Sequence, residues 1–509
     1  MTAGPEPSKP ARFDWSSVAI LAAALAGAAA VLWSTAPWGA GLDNDVVDFF
    51  SGAESLLDGR GYVQSNGEPF ALWPPLMPTL LAAARALGLP FELTLRLMHP
   101  LALVALVWTT ASLVRRVSGS PCIAVGAALV LSAAPVLFES WVMGLSEGLF
   151  VTFAVAAVLN LERFLDARTR TRFALCVLFT ALTFLQRYLG VTLVAALSLV
   201  LLFAPRSDTW FVRLRRTAVF GALSVAPMVV WCLRTRAQTG HLTGNRGTIP
   251  GPELSVIAEL TWRTFVGWIW PGASDQPIAQ AVAALVIVVL GAALLWPSHK
   301  PDAPVLRRWA PLAAFPLVYF TLSSYLNYRW EIDGIGDRQL VPLAPFAVSF
   351  AALGFAAIRA RLAGRGARAA LDALGAIALV AHLFAAASHL SGRIAFWRAE
   401  GPGVYATRSA RDSAFADLVR EFEFEGAVDS NDPHAVYYLA RHYARMAPRR
   451  PGGYRKLGQG QRTRELAPTL VWFNQNERAV PPLDELRRAF DIAVLAQAPG
   501  GAIYRITPR

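Results

Sequence analysis

Apolar residues in this chain come in long unbroken runs rather than at helical or alternating spacing. The clearest are 20–33, 123–138, 191–203, 278–296 and 371–383. Runs approaching about 20 residues match the hydrocarbon thickness of a bilayer. There a backbone satisfies its own hydrogen bonds only as a helix or a closed barrel. The pattern predicts an all-α polytopic membrane protein with about 11 spans. They fall near 16–34, 97–114, 122–138, 145–162, 173–186, 189–204, 217–233, 278–296, 309–325, 340–357 and 370–390. The segment 74–88 is short and Pro-rich at its start, and is placed in the first outer loop as a shallow or re-entrant helix.

After residue 391 the apolar runs shorten and charge rises. An amphipathic helix is expected at 412–424, strands at 427–430 and 469–473, a helix at 484–490, and strands at 492–495 and 502–506. The organisation expected is therefore an N-terminal tail 1–15, a membrane domain 16–391 with a first outer loop 35–96, and a small α/β domain 392–509. The sequence shows no internal repeat of the kind common in secondary transporters.

Composition sharpens this picture. Of 509 residues, 55% are hydrophobic and 16% charged, against roughly 25% charged in soluble domains. The net charge of +12 does not form a nucleic-acid patch, and no nucleic-acid partner is expected. Lys and Arg gather in short clusters between apolar runs, such as Arg115 and Arg116, Arg213 to Arg216, and Arg359 to Arg368. By the positive-inside rule these ends are cytoplasmic. The N-terminus then lies in the cytoplasm, and 392–509 lies on the extracytoplasmic side. Abundant Ala, Gly and Arg point to a GC-rich bacterial source, hence the bacterial inner membrane. Cys122, Cys176 and Cys232 sit in or beside apolar runs without a pairing pattern and read as small buried side chains.

On this topology the unusual polar residues converge on the outer face. The first loop supplies Asp43, Asp45, Asp48, Glu54 and Asp58. Glu139 and Glu147 flank the second loop, and Arg187 and Tyr188 sit in a hairpin of a few residues. His241, Asn245 and Arg246 follow, then Asn327, Arg329 and Glu331, then Asp337 and Arg338. Ionisable residues at a membrane edge are functional candidates because their desolvation must be offset. Plainer readings stand beside this. Asp43, Asp48 and Asp58 can be solvated loop charges, Glu147 can favour a helix N-terminus, and Arg187 and Arg338 can snorkel. His241 alone is a weak signal, and His382, inside a span, reads as a packed polar residue.

Carboxylates beside several Arg at one face suit a definite chemistry. A carboxylate can deprotonate a hydroxyl or help hold a divalent cation, and Arg forks can clamp a phosphate. Trp262, Trp268 and Trp270 would anchor a helix lying flat at the interface, where a lipid phosphate would enter.

Several pieces resemble the GT-C glycosyltransferases, the polyprenyl-phosphate-sugar enzymes. That superfamily includes protein O-mannosyltransferases and lipid A aminoarabinose transferases, and the likeness is to its bacterial dolichyl-phosphate-mannose mannosyltransferase-like group. Asp45 with Phe49, Gly59-Arg60-Gly61-Tyr62 and Trp73-Pro74-Pro75-Leu76-Met77-Pro78 is similar to the family's first outer loop. Ser146-Glu147-Gly148 is similar to an acidic motif that usually carries Pro where Gly148 stands. Gln186-Arg187-Tyr188 resembles a Thr-Arg-Tyr hairpin, and Asp337-Arg338-Gln339-Leu340-Val341-Pro342 an Arg-Tyr-Leu-Leu-Pro element. Ser430-Asn431-Asp432-Pro433 and Tyr437-Tyr438-Leu439 resemble a small outer domain of some members.

The resemblance implies inverting sugar transfer from a polyprenyl-phosphate donor to a hydroxyl acceptor on the extracytoplasmic face. Asp45 would be the base, with Asp43 the runner-up and Glu147 the acidic companion. Arg187 and Arg338 would hold the donor phosphate, with Tyr188, Asn327, Arg329 and His241 as further binding residues. A divalent cation, Mg or Mn, held by Asp45 and Glu147 is left open, because no ligand spacing settles it. The rival readings are a membrane transporter or flippase, a glycan ligase or polymerase of similar layout, and an assembly subunit whose tail docks a partner.

Overall fold

The apolar runs fold as helices whose ends are set by Pro, Gly and short polar caps. The structure, a computed structural model, describes residues 14–204, 208–244, 250–295, 304–330, 335–447, 467–474 and 483–508. Helix α1 (Trp15–Ser34) begins at Asp14, whose carboxylate accepts the Ser17 N–H. Helix α2 (Asn44–Leu57) is amphipathic and buries Val46, Val47, Phe49 and Phe50. Helix α3 (Leu76–Ala86) has 11 residues, too few to cross a hydrocarbon core that needs about 20.

Helix α4 (Phe91–Ser118) precedes α5 (Pro121–Ala133) and α6 (Pro135–Val142). Next come α7 (Glu147–Ala167), α8 (Arg170–Gln186), α9 (Val191–Phe203) and α10 (Trp210–Thr239). The series closes with α11 (Leu254–Ile269), α12 (Pro277–Leu295), α13 (Pro304–Arg329), α14 (Asp337–Leu340), α15 (Ala344–Arg361) and α16 (Arg365–Glu400).

Among the described residues, seven stretches are helical, long and apolar enough to cross a membrane: α1, α4, α7, α10, α12, the run from α14 through α15, and α16. The chain is thus a multi-pass membrane protein. The expected spans 122–138, 173–186, 189–204 and 309–325 fall outside these seven. The first is broken, since α5 and α6 meet at a bend of 51° where Pro135 cannot continue the hydrogen-bond ladder. Helices α8 and α9, of 17 and 13 residues, are short for a crossing. Helix α13 carries Pro311 and Pro316 inside it. Helix α16 runs 36 residues, past the boundary expected at 391, and stops at Gly401, which has φ 87°.

Helix α7 is the hub, with Phe150, Val151, Ala154, Ala157, Val158 and Leu161 all fully buried. Beyond α16 the chain forms α17 (Arg408–Arg411), α18 (Ala414–Glu421), β1 (Val428–Ser430), α19 (Pro433–Ala440), β2 (Ala444–Met446), β3 (Thr469–Phe473), α20 (Leu483–Ala489), β4 (Phe490–Ala498) and β5 (Gly501–Pro508). The strands make one sheet in the order β2-β1-β3-β5-β4, with β1 parallel to β2 and β3 and β5 antiparallel to β3 and β4. Phe415, Val419, Val471 and Ile503 pack under it. The backbone between α16 and α17 is pinned to the start of α2, for the Val404 and Tyr405 N–H groups both donate to Leu42 O, at 2.7 and 3.0 Å.

Candidate active site

Four helix ends bring four charged side chains together. The first is the N-terminus of α2. Asp43 caps it, accepting the Asn44 N–H at 2.7 Å, while Asp45 occupies the first turn. The buried apolar face of α2 fixes the rotation of the helix and so the direction of Asp45. The second is the N-terminus of α7, where Glu147 is the first helical residue and its side chain is 2% exposed. A carboxylate there is favoured by the unpaired N–H groups of the first turn.

The third is the hairpin between α8 and α9. A Cβ at Gly190 would lie 2.4 Å from Phe184 Cα, so only glycine lets the hairpin close this tightly. Arg187 stands at its tip in extended conformation, φ −148°. The fourth is α14, which carries Arg338. Its neighbour Gln339 is held on both sides, since Asn327 Nδ2 donates to Gln339 Oε1 at 2.6 Å and Tyr319 OH donates to Gln339 O at 2.8 Å.

The contacts among the four are direct. Arg187 Nη1 donates to Glu147 Oε1 at 2.6 Å and to Ser146 Oγ at 3.0 Å. Arg338 Nε donates to the same Glu147 Oε1 at 2.5 Å, and Arg338 Nη2 pairs with Asp45 Oδ2. Two carboxylates and two guanidiniums therefore sum to zero charge. Burial holds the Asp45 carboxyl above the ordinary aspartate range, outweighing the opposing pull of Arg338. Glu147 Oε2 is buried without a hydrogen-bond partner among the described residues.

The other expected residues take different places. Asp43 serves as the α2 cap. Tyr188 OH donates to Ala71 O at 2.8 Å and accepts the Trp231 indole N–H at 3.0 Å, so it ties the first loop to α10. Arg234, not anticipated from sequence, joins that tie by donating to Phe70 O and Tyr62 O at 2.9 and 3.0 Å. Asn327 reaches the cluster through Gln339. Arg329 lies 5.9 Å from the Trp330 ring, and exposed His241 donates its backbone N–H to Thr239 Oγ1 at 3.2 Å. Among the described residues neither has a contact to the four charges. Glu139 pairs instead with Arg393 of α16 at 3.1 Å, and His382 Nδ1 meets Ile269 O at 3.0 Å. Asn245, Arg246 and Glu331 lie outside the described residues.

Asp48 corrects the solvated-loop reading. It is buried and accepts the Ser65 N–H at 3.0 Å and the Ser65 hydroxyl at 2.6 Å. His434 of α19 meets its other oxygen at 3.4 Å. Burial alone would disfavour charge on His434, but the Asp48 carboxylate beside it, with Asp432 and Asp45 further off, holds the imidazole above its ordinary range. Asp58, by contrast, is exposed and paired with Arg60 at 2.6 Å. The tail follows α2 along its length. Tyr405 OH bridges Asn44 Oδ1 and Asp432 Oδ1 at 2.6 and 2.8 Å, and Tyr437 OH donates to Glu54. Sequence reasoning also passed over His99, a buried imidazole inside α4. The signal was available, since a histidine within an apolar run is a candidate wherever it falls.

The cluster does not fit a divalent cation as it stands. Glu147 Oε1 already receives two guanidiniums, Asp45 receives one, and the described residues hold no group of three His, Cys, Asp or Glu that could bind a metal ion.

No protein-family model and no curated protein matches the chain. Solved structures do. ArnT from Cupriavidus metallidurans, crystallised bound to undecaprenyl phosphate, aligns with a TM-score of 0.63 at 12% identity, covering 94% of this chain and 97% of that one. The Archaeoglobus fulgidus oligosaccharyltransferase, in complex with Zn and sulfate, aligns at 0.56 and 13% identity, covering 84% of this chain and 62% of that one. The arabinofuranosyltransferase AftD from Mycobacteria aligns at 0.57 and 17% identity, covering 97% of this chain and 40% of that one. The chain shares their fold, the GT-C fold, as its motifs led one to expect.

Proposed function

We propose that this chain, which has the GT-C fold, is an integral-membrane glycosyltransferase. It moves a sugar from a polyprenyl-phosphate donor to a hydroxyl of a lipid, glycan or protein acceptor on the extracytoplasmic face, with inversion. The observation that carries this reading is the convergence of Asp45, Glu147, Arg187 and Arg338 at one point. ArnT's binding of undecaprenyl phosphate supports the choice of lipid carrier.

The chemistry follows from the residues. The acceptor oxygen attacks the anomeric carbon as the bond from that carbon to the phosphate oxygen breaks. The acceptor proton passes to Asp45, and the polyprenyl phosphate departs with the bonding electron pair. The donor is a phosphodiester with one negative charge, and the leaving group is a phosphomonoester approaching two. Arg187 and Arg338 meet that growing charge, which is where electrostatic stabilisation acts on rate. As the phosphate draws Arg338 away, Asp45 loses its partner and becomes the stronger base. In this reading residues 16–391 and the continuation of α16 form the transferase domain, with about 11 crossings if the short helices pair. The N-terminus faces the cytoplasm of a bacterium and 392–509 faces outward.

The test is transfer of labelled sugar from polyprenyl-phosphate donors in membranes holding equal amounts of wild type and Asp45→Asn. Wild type transfers and Asp45→Asn does not. Equal activity in the two would remove Asp45 from its role, and failure of every donor with wild type would favour the transporter reading.

A further inference from the structure

Behind Glu147 lies a set of buried polar atoms that the transfer chemistry above does not use. His99 is 1% exposed, and neither ring nitrogen has a hydrogen-bond partner among the described residues. Trp141 is equally buried, and its indole N–H is also unpartnered. The third member is Glu147 Oε2. Two of these side chains meet at one backbone position, that of Gly148, the residue after Glu147. A Cβ at Gly148 would lie 3.4 Å from His99 Nδ1 and 3.3 Å from Trp141 Cε2. Glu147 is also a charge that acts on the His99 ring electrostatically.

Buried polar groups are nearly always paired, and leaving one orphaned is costly. Two orphaned rings beside the unpartnered oxygen of a carboxylate suit a second arrangement. At Gly148, where the resembled motif carries Pro, the two rings lie against the backbone. In the first arrangement Glu147 is satisfied by Arg187 and Arg338. During transfer both guanidiniums are needed by the phosphate, and Glu147 would be left as a buried carboxylate without a partner.

We propose that His99 is a positioning residue for Glu147: its ring N–H becomes the donor to Glu147 Oε2 when Arg187 and Arg338 turn to the leaving phosphate. This rests on the transferase reading of the site. Because the second negative charge appears only as the bond breaks, the support matters in the transition state and with the product lipid bound. It matters little when the singly charged donor binds.

The test compares His99→Phe and His99→Gln in the full-length protein. Phenylalanine fills the space without a donor, and glutamine restores one. His99→Phe should lower kcat roughly 10- to 100-fold, the range of a hydrogen bond to a charged group, with donor KM within about 2-fold. Binding of undecaprenyl phosphate should weaken by the same factor as kcat, while the unfolding midpoint holds or rises because two orphaned nitrogens are gone. His99→Gln should recover most of kcat. Loss of stability together with kcat in His99→Phe, or no recovery in His99→Gln, overturns the proposal. So does a loss seen in Trp141→Phe and not in His99→Phe, since the indole is the competing donor. A second readout is independent of turnover. In protein labelled with nitrogen-15 at histidine, undecaprenyl phosphate should move the His99 ring signal to that of a hydrogen-bonded N–H. If the lipid binds and the signal stays, the inference fails and the transferase reading survives. If the lipid does not bind at all, the phosphate clamp fails and the inference falls with it.

Discussion

Replacing Arg338 with alanine tests the cluster most severely, because Arg338 is the group shared by both carboxylates. Glu147 would keep Arg187 at 2.6 Å. Asp45, with only 19% of its side chain exposed, would lose its guanidinium. Breaking a buried ion pair by removing one partner costs roughly 3–5 kcal/mol. Arg338 is 34% exposed and solvent screens part of the effect, so the lower end, about 3 kcal/mol, is expected. The double variant Asp45→Asn with Arg338→Ala removes the orphaned charge as well. It should be more stable than Arg338→Ala alone, by a coupling within the 0.5–3 kcal/mol range of contacting residues. Unfolding midpoints in detergent micelles read this out. Transfer activity should behave oppositely: Arg338→Ala loses at least about 100-fold in kcat/KM, and Asp45→Asn does nothing to restore it. Additive stabilities in the double variant, or near-normal transfer in Arg338→Ala, would refute the pairing and the phosphate role respectively.

Other outcomes follow from the same geometry. Asp43→Asn keeps a capping side chain and should cost under about 1 kcal/mol with transfer retained, whereas Asp45→Asn should abolish transfer at unchanged stability. Since burial raises the Asp45 carboxyl, the acid limb of the pH–rate profile should lie above the ordinary aspartate range; a limb at or below that range would contradict it. The matching stability contribution of Asp45 is fullest at acid pH and is lost as pH rises through the raised value. Asn327→Ala should free Gln339 and slow transfer about 10-fold, the scale of losing a supporting hydrogen bond, while Asn327→Asp leaves an acceptor that cannot donate and should not rescue it. His434 is held above its ordinary range by Asp48, so its contribution is complete below the unfolded histidine value. It is lost as pH rises through the folded one. His434→Ala should flatten that alkaline loss in a pH series of unfolding midpoints.

Three of the four charges, Glu147, Arg187 and Arg338, were legible because each stands at the edge of an apolar run, and Asp45 because it sits in an acidic loop between segments that otherwise avoid charge. Their pairing was not. Asp45 and Arg338 are 293 positions apart, and nothing local to either names the other. The same distance hid the burial of Asp48, which depends on Ser65 and on His434 from the tail. His99 was overlooked because a lone histidine in a run looks like packing until its neighbours are known. The expected span 122–138 hid the break at Pro135, since hydropathy is continuous across it. The end of α16 was misjudged for the opposite reason. Apolar character fades near 391, yet the helix continues because Trp397 is buried against Phe138 and Arg398 lies 3.7 Å from the Trp33 ring. In the tail, the strand expected at 427–430 is β1 and the longer strands were visible at their centres, while β2, three residues long, was missed because it takes its form from pairing with β1.

Why the site should be neutral follows from where it sits. A lone carboxylate at the edge of a hydrocarbon layer loses hydration that nothing nearby replaces, and a lone guanidinium fares no better. Two of each, interleaved so that Arg338 touches both acids and Glu147 touches both bases, keep every charge partnered. That arrangement is also reactive in one direction. In the proposed transfer, a phosphate entering from the lipid would compete for the guanidiniums with oxygen ligands of its own, and the acid it would displace from Arg338 is Asp45, the proposed base. Asp45 is paired with Arg338 in the structure, and on the proposed mechanism it would be freed where the leaving charge forms. The tail reinforces this from the other side of α2: Tyr405 holds Asn44, one residue before Asp45, and His434 holds Asp48, three residues after it. Asp45 is set on a helix turn fixed at both flanks, so in the proposed reaction its carboxylate would stay in place as Arg338 leaves, and its proton affinity would change.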